Sequence, residues 1–513
     1  MSVTALRVLK DSYLDSMLLM LATASMDGRD GITWAGATLA GPRGMQDLAA
    51  AGFSGDELDG LGANDLVLAV KAADDRTAQA ALDAGREAAL SERDQPSGTT
   101  VEAPATSSAE AARRTPGANV AIVSVPGEYA ALEAHHALTA GLHVLLFSDN
   151  VPVEQEVELK DRAARLGLLA LGPGAGTAVL GGTGLAFAND LVADGARAVG
   201  VVAAAGTGAQ EVSALLDRWG VRVSQVVGVG GRDLSEAVGG RMAQQAARLL
   251  EADPGTAAVL LVSKPPSPGA ARTVLAECTG TPAVAVFLGL DELEAPDGVT
   301  QATTLEQGAL AAARLTGATP PDVTVGLRDA VAARVAGLAR GRTRVRGLFS
   351  GGTLCYEAQL VLEGLLGPVF GNEPLRTANT VQAAPPGAHL LLDLGAEEHT
   401  VGRPHPMIDP SGRVALLRAV ADEPDVAVVL LDVVLGHGAH PDPAGQLAQA
   451  CVEVTAAGVV VVAYLLGTES DPQGYSAQRA VLERAGCLVP ETNARGAYAA
   501  AALVRRDPDL AVL

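Results

Sequence analysis

Apolar positions follow two alternating rhythms along the chain. Short runs rich in Val, Leu and Ala, such as Val120 to Val125 and Val426 to Leu431, give way to longer stretches where apolar residues return every three or four positions. The first rhythm predicts strands buried on both faces and the second predicts amphipathic helices. Their alternation predicts an α/β protein with parallel sheets and right-handed crossovers. At the N-terminal end the pattern predicts strands over Thr4 to Leu9, Gly31 to Leu39 and Asp65 to Lys71. Helices are expected over Ser12 to Ser25, Arg43 to Ala51 and Thr77 to Arg93. Gln95 to Gly117, rich in Ser, Thr, Pro and Ala, reads as a linker. Beyond it, strands are expected at Val120 to Val125, His143 to Phe147 and Leu168 to Leu171, and helices at Glu128 to Leu138 and Glu154 to Leu166. The expected domains are 1–95, 117–195, 196–292 and 340–513, with a softer stretch before the last.

The third and fourth domains repeat one order of segments. Arg197 to Ala203 breaks into Ala205-Gly206-Thr207-Gly208 and a helix with Glu211; Arg344 to Phe349 breaks into Ser350-Gly351-Gly352-Thr353 and a helix with Glu357. Later, Gly230-Gly231-Arg232-Asp233 and the strand Ala258 to Val262 are answered by Val401-Gly402-Arg403-Pro404-His405-Pro406 and Val426 to Leu431. Matching order and spacing predict a duplication.

With 513 residues, 48% of them hydrophobic and 19% charged, the chain has the composition of a globular enzyme rather than a disordered one. A net charge of −22 without a basic stripe argues against nucleic acid as a partner. Cys278, Cys355, Cys451 and Cys487 form no CxxC pair, so zinc and a disulfide framework are not expected, and reduced thiols suit the cytoplasm. The apolar run from Tyr13 to Ser25 is too short to span a bilayer and reads as a core helix, so no membrane partner is expected.

The strand, glycine turn and helix that occurs twice is the sharpest chemical signal. A helix N-terminus presents unpaired N–H groups and the positive end of the helix dipole, glycines let a phosphate approach the backbone, and Thr207 or Ser350 can add a hydroxyl. One such turn is equally a plain strand-to-helix turn; two in duplicated domains can address one shared anion. Gly206, Thr207, Gly208, Ser350, Gly351, Gly352 and Thr353 are therefore the phosphate-binding candidates. Neither turn is a Walker loop, because no Lys follows its glycines. Arg232 and Arg403 follow strands and could fork onto oxyanions, and His405 could move a proton near neutral pH; surface capping and a structural histidine are the plain alternatives. Lys264 sits at the equivalent strand end, with a solvated lysine as its plain reading. The loop from Gly436 to Pro443 holds His437, His440 and Asp442, too few ligands to predict a metal.

From about Asn119 onward the chain resembles the FdrA family, relatives of succinyl-CoA synthetase. The resemblance rests on Val125 to Ala131 (VPGEYAA), Leu185 to Asn189 (LAFAN), Gly230 to Ser235 (GGRDLS), Val262 to Pro266 (VSKPP), Ser350 to Leu354 (SGGTL) and Thr400 to Pro410 (TVGRPHPMIDP). It implies a small N-terminal α/β domain, a CoA-binding-like Rossmann domain and two flavodoxin-like synthetase-type domains whose helices point at a phosphate. It also implies cofactor contacts at Pro126, Gly127, Ser148 and Asn150, with CoA as their ligand. Where the family has an Asn-Cys turn this chain has Gly174-Ala175, and Leu466 to Gly474, in place of a phosphohistidine loop, contains no histidine. No ATP-grasp domain fits in the remaining chain. The resemblance implies a carbamoyl- or acyl-transferase subunit handling phosphate or carbamoyl phosphate, as in oxamate carbamoyl transfer of ureide catabolism. It further implies companion subunits and an oligomeric assembly. The alternatives are an acyl-CoA synthetase component acting with CoA and an ATP-grasp partner, and a regulatory subunit that binds a phosphorylated ligand without turnover.

Overall fold

In the computed structural model of the chain, residues 3–12, 14, 16–53, 58, 60–90, 104–290, 293–400 and 404–513 are described. They divide into two units: Met1–Thr106 with Ser124–Pro126 and Glu397–His405, and all the rest.

The first unit contains β1 (Val3–Leu9), α1 (Ser16–Asp27), β2 (Ile32–Leu39), α2 (Pro42–Ala50), β3 (Leu66–Ala72) and α3 (Asp75–Leu90), close to the elements the periodicity predicts. Its sheet departs from the parallel expectation, because β3 lies between β1 and β2 and runs antiparallel to both. The crossover from β1 through α1 to β2 leaves one strand's width open, and β3 fills it, giving a split β-α-β arrangement. Strand alternation then sorts the core. Leu66, Leu68 and Val70 pack with Met26, Ala78 and Leu82 on the face of α1 and α3, whereas Val67 and Ala69 pack with Leu48 and Phe53 on the other.

In the second unit α4 (Ser108–Arg114) forms inside the expected linker, because Ser107 Oγ accepts from the Glu110 N–H and caps it. A small parallel sheet follows: β4 (Val120–Val123), α5 (Gly127–Thr139), β5 (His143–Leu146), α6 (Val153–Leu166) and β6 (Ala170–Leu171), paired in sequence order. The hairpin of β7 (Thr177–Leu180) and β8 (Thr183–Ala186) joins the next sheet, although the sequence boundary at 195 places it with the preceding domain.

That next sheet is built from β9 (Ala198–Ala204), α7 (Gly206–Arg218), β10 (Val223–Gly228), α8 (Arg241–Glu251), β11 (Thr256–Ser263), α9 (Pro268–Leu275) and β12 (Ala283–Phe287). β13 (Val299–Ala302) and α10 (Leu305–Leu315) extend it past the expected end at 292, and α11 (Leu327–Gly337) follows. Its seven strands run β13-β12-β11-β9-β10-β7-β8. The last sheet uses β14 (Arg344–Phe349), α12 (Gly352–Leu366), β15 (Val369–Gly371), β16 (His389–Asp393), α13 (Glu397–Thr400, grouped with the first unit), α14 (Ser411–Ala419), β17 (Val426–Val434), α15 (Pro443–Ala456), β18 (Val460–Leu466), α16 (Tyr475–Arg484) and α17 (Asn493–Arg505). Its parallel order is β15-β16-β14-β17-β18.

The duplication is visible in these orders, since β12-β11-β9-β10 matches β18-β17-β14-β16 strand for strand. β9 is buried along its whole length and Asp432 is the one polar residue of the fully buried β17. Such two-sided burial explains the unbroken apolar runs, and each Val or Leu so buried contributes about 1.5–3 kcal/mol. One core joins the two large sheets, with Val201, Val212 and Leu260 in the same cluster as Leu354, Leu430 and Tyr464.

Candidate functional site

Both glycine turns lie at the carboxyl edge of a central strand, and the fold brings them together. The Thr353 N–H donates to Thr207 Oγ1 at 3.3 Å. A Cβ on Gly351 would stand 2.9 Å from Thr207 Cγ2, and one on Gly208 would stand 3.0 Å from Thr353 Cγ2, so only glycine permits this approach of the two helices. Thr207, Ser350 and Thr353 are buried. Gly206 is exposed, and a Cβ there would find nothing nearer than Thr177 Oγ1 at 3.8 Å. The tips touch, leaving the open space beside their contact, in front of Gly206.

The tip of α7 is unsatisfied. Ala205, its N-cap, supplies no side-chain acceptor, and the N–H groups of Gly206, Thr207 and Gly208 find none among the described residues. The turn into α12 is tied down by the protein itself on the two N–H groups just before the helix, while of its first-turn N–H groups only that of Thr353 has an acceptor among the described residues. Asp432 Oδ1 accepts from Ser350 N–H at 2.7 Å, and Asp432 Oδ2 accepts from Gly351 N–H at 2.7 Å. Ser350 Oγ donates to the same carboxylate, at 3.1 Å from either oxygen, so the hydroxyl expected to serve a guest anion is already engaged. Arg413, also buried, stands 3.2 Å from Asp432 Oδ1 and donates to its backbone carbonyl.

Two further charged groups flank the tips. The ladder pairs Ser263 with Ala204, so Lys264 comes one residue further on, beside the turn into α7. Lys264 is half-buried and has neither a hydrogen bond nor an ion pair among the described residues. Asp393 is paired with Phe349 in the ladder and buried, and its Oδ2 lies so close to Gly352 that a Cβ there would be 2.5 Å away. Burial pushes the Asp393 carboxyl up to about 6 against the pull of Lys264 and of the Gly395 N–H. Asn372 fixes the strand at this point, accepting from Asp393 N–H at 2.9 Å and donating to its carbonyl at 2.8 Å.

One turn deeper, each helix carries a fully buried carboxyl. Asn493 Nδ2 donates to Glu357 Oε2 at 2.7 Å, and its backbone N–H reaches Glu211 Oε1 at 3.3 Å. Burial, then the neighbouring Glu357, pushes Glu211 up to about 8; burial likewise takes Glu357 to about 7. Glu211 Oε2 and the Tyr464 hydroxyl are buried without hydrogen-bond partners. At neutral pH Glu211 is mostly protonated and Glu357 is about half protonated.

The remaining candidates lie elsewhere. Arg232 donates to the Val151 carbonyl at 2.7 Å and forms an ion pair with Glu156 at 2.9 Å, in a geometry that leaves Glu156 Oε2 without a hydrogen bond. Glu156 also holds the buried Lys160, which bonds Asp233 at 2.7 Å; Arg232 therefore belongs to a charge cluster binding α6 to the loop before α8. Arg403 lies outside the described residues. His405 is half-buried and groups with the first unit. Lys264 is legible from its strand-end position, whereas Asp393 is the harder one to single out from sequence: an acid ending a strand is common, and only its register marks it.

In the small Rossmann-type sheet, a Cβ on Gly127 would meet the Asp149 and Asn150 carbonyl oxygens at 2.3 and 2.6 Å, and one on Gly174 would meet Asp149 Oδ1 at 2.6 Å. Ser148 Oγ donates to the Val123 carbonyl at 3.3 Å, Asn150 takes a left-handed φ of 57°, and Pro126 groups with the first unit. Oxygens of the chain itself pack against both turns, so each requires glycine. The loop Leu466 to Gly474 is likewise closed internally: Asp471 accepts from Thr468 N–H and Asp190 N–H at 2.7 and 2.8 Å and from Asn189 Nδ2 at 2.8 Å. His437 pairs with Asp190 at 3.0 Å and His440 accepts from Asp442 N–H at 3.0 Å. Among the described residues no group of three or more His, Cys, Asp and Glu could hold a metal ion, and no helix is long and apolar enough to cross a membrane. All four cysteines are free and buried. A cavity of about 240 Å³ lined by Glu363, Gly367, Pro368, Arg376 and Asn379 sits toward the other end of α12, away from the tip chemistry.

Residues 348–503 match the family model for a CoA-ligase, and residues 1–105 match that for the AllF, heavy metal-associated domain. Residues 1–105 contain neither cysteine nor histidine, so thiolate and imidazole donors are missing from that stretch. The chain is 38% identical over 395 residues to the uncharacterized protein YahF of Escherichia coli (strain K12), covering 75% of this chain and 76% of YahF. Among solved structures, it is similar to a dinucleotide forming acetyl-coenzyme A synthetase 1 of Ca. Korarchaeum cryptofilum in complex with phosphate and ADP (17% identity, 77% of this chain and 85% of that one, TM-score 0.29). It is also similar to an ATP citrate lyase of Methanothrix soehngenii in complex with citrate and coenzyme A (18% identity, 41% of this chain and 37% of that one, TM-score 0.29).

Proposed function

The chain belongs to the same FdrA/CoA-ligase-like family as YahF, and from that membership we propose that it is a group-transfer subunit that binds phosphate at the open tip of α7. The phosphate is either free or the end of an acyl or carbamoyl phosphate. One observation carries this reading: three first-turn N–H groups without acceptors among the described residues, on a helix whose tip is braced by a second helix through Thr207 and Thr353. Fixed donors of this kind stabilise charge that develops on a transferred group, and loss of one typically costs about 10²-fold in rate. The finer form of the proposal is carbamoyl transfer of the oxamate type, performed with companion subunits. It needs an oxyanion site and no phosphohistidine, which agrees with the histidine-free loop at Leu466 to Gly474.

The test is Gly206→Asp with calorimetry of inorganic phosphate binding. The site has room for the side chain, and a carboxylate at a helix N-terminus does not harm the fold. Phosphate affinity should fall about tenfold or more with Tm preserved. Unchanged affinity overturns the proposal. The CoA-ligase match favours a second reading, an acid–thiol ligase component working with an ATP-grasp partner; CoA thioester formation in such a mixture would decide for it.

A further inference from the structure

Around the tips, the sheet order places one cation and one acid that the glycine turns do not account for. Lys264 leaves β11 beside the start of α7, and Asp393 leaves β16 against the first residue of α12. The positive charge of Lys264 lies within electrostatic reach of both Asp393 and Cys355 of α12. It is half-buried and makes no hydrogen bond or ion pair among the described residues, so its ammonium is left to an incoming anion. We infer that Lys264 and Asp393 are the working pair of this site, Lys264 gripping the oxygens of the bound phosphate and Asp393 carrying the proton that moves during transfer.

The inference rests on the phosphate reading above and adds residues to it. For an amide substrate the step is balanced within the site. A phosphate oxygen attacks the carbonyl carbon, a C–O bond forms, the C–N bond breaks, and the proton leaves the phosphate O–H for the departing nitrogen by way of Asp393. Such a carrier works best when it titrates near the working pH, and burial raises Asp393 into that range. The groups facing Asp393 are Lys264 from β11, Asp432 from β17, Glu373 from beyond β15, Cys355 from α12 and the Gly395 N–H. Asn372 brackets its backbone on both sides, and the Gly395 N–H holds Asp393 Oδ1 at 2.9 Å, leaving Oδ2 beside Gly352. Asp432 is fully occupied by the turn into α12, so it is not a second carrier.

The experiment measures inorganic phosphate binding by calorimetry on the full chain, in two buffers of different ionisation enthalpy, which also counts the protons exchanged. Lys264→Met should weaken binding about tenfold or more; Lys264→Gln should do the same, and serves if the first variant folds poorly. Asp393→Asn should keep or improve the affinity and change the proton count. The pair is overturned if both Lys264 variants bind like the parent while Gly206→Asp does not bind, and the acid's role is overturned if Asp393→Asn leaves the proton count unchanged. If Gly206→Asp also binds like the parent, it is the phosphate reading that fails.

Discussion

The tips of α7 and α12 stand on matching strands yet differ in what flanks them. Ala203 precedes α7 by the same three residues by which Phe349 precedes α12. On β9 the ladder pairs Ala203 with Gly228 and Val262. On β14 it pairs Phe349 with Asp393, and Asp432 stands one step past the Leu348–Leu431 pair. Gly228 and Val262 therefore correspond to Asp393 and Asp432. One copy has set two carboxylates against the turn into its helix, one of them bonded to the N–H groups of that turn; the other has apolar ladder partners and no acid there. Two identical tips in contact would carry unrelieved positive ends against each other. With one neutralised from within, the pair can pack, and the remaining tip can take an anion from outside.

Changes to that asymmetry should have effects of graded size. The largest is Asp432→Ala, which strands the buried Arg413 and leaves the Ser350 and Gly351 N–H groups without acceptors; denaturant unfolding should show a loss of about 3–5 kcal/mol. Next comes Val262→Asp, which copies the acid beside the second turn into the first. Phosphate affinity should fall about tenfold, or about 1.4 kcal/mol, in titration calorimetry, and full retention would mean that the open tip is not the binding place. The protonated layer behind the tips gives a smaller, pH-dependent effect. Glu211 and Glu357 have folded values of about 8 and about 7 against an ordinary 4.5, so the folded state holds more protons across that interval. Stability must then be greatest at the acid end of the interval and fall as pH rises from about 4.5 to about 8. Thermal melts should show Tm falling by roughly 1 °C for each kcal/mol lost, and Glu211→Gln should flatten the slope. The smallest change is Thr207→Val, which leaves the Thr353 N–H without its acceptor and should cost about 1 kcal/mol.

Which parts of the site are legible in the sequence depends on the range of the interaction. The glycine turns can be read locally, because Gly351 and Gly208 sit where a strand must turn sharply into a helix, and their repetition announces the pairing. Arg232 satisfies the same local logic, following a strand and flanked by glycine. Its ion pair with Glu156 depends on how α6 packs against the loop before α8, which a strand-end position does not encode.

The sequence alone determined the α/β rhythm, the duplicated strand orders and the two glycine turns, since periodicity and backbone freedom are properties of neighbouring residues. It also determined that no histidine stands at Leu466 to Gly474. Tertiary structure decided the antiparallel register of β3, the contact between Thr207 and Thr353, and the bonding of Asp432 to the turn into α12. The reason is physical: whether a carboxylate such as Asp432 bonds a turn in its own chain or awaits a ligand depends on strand register across a sheet, and register brings together residues about eighty positions apart.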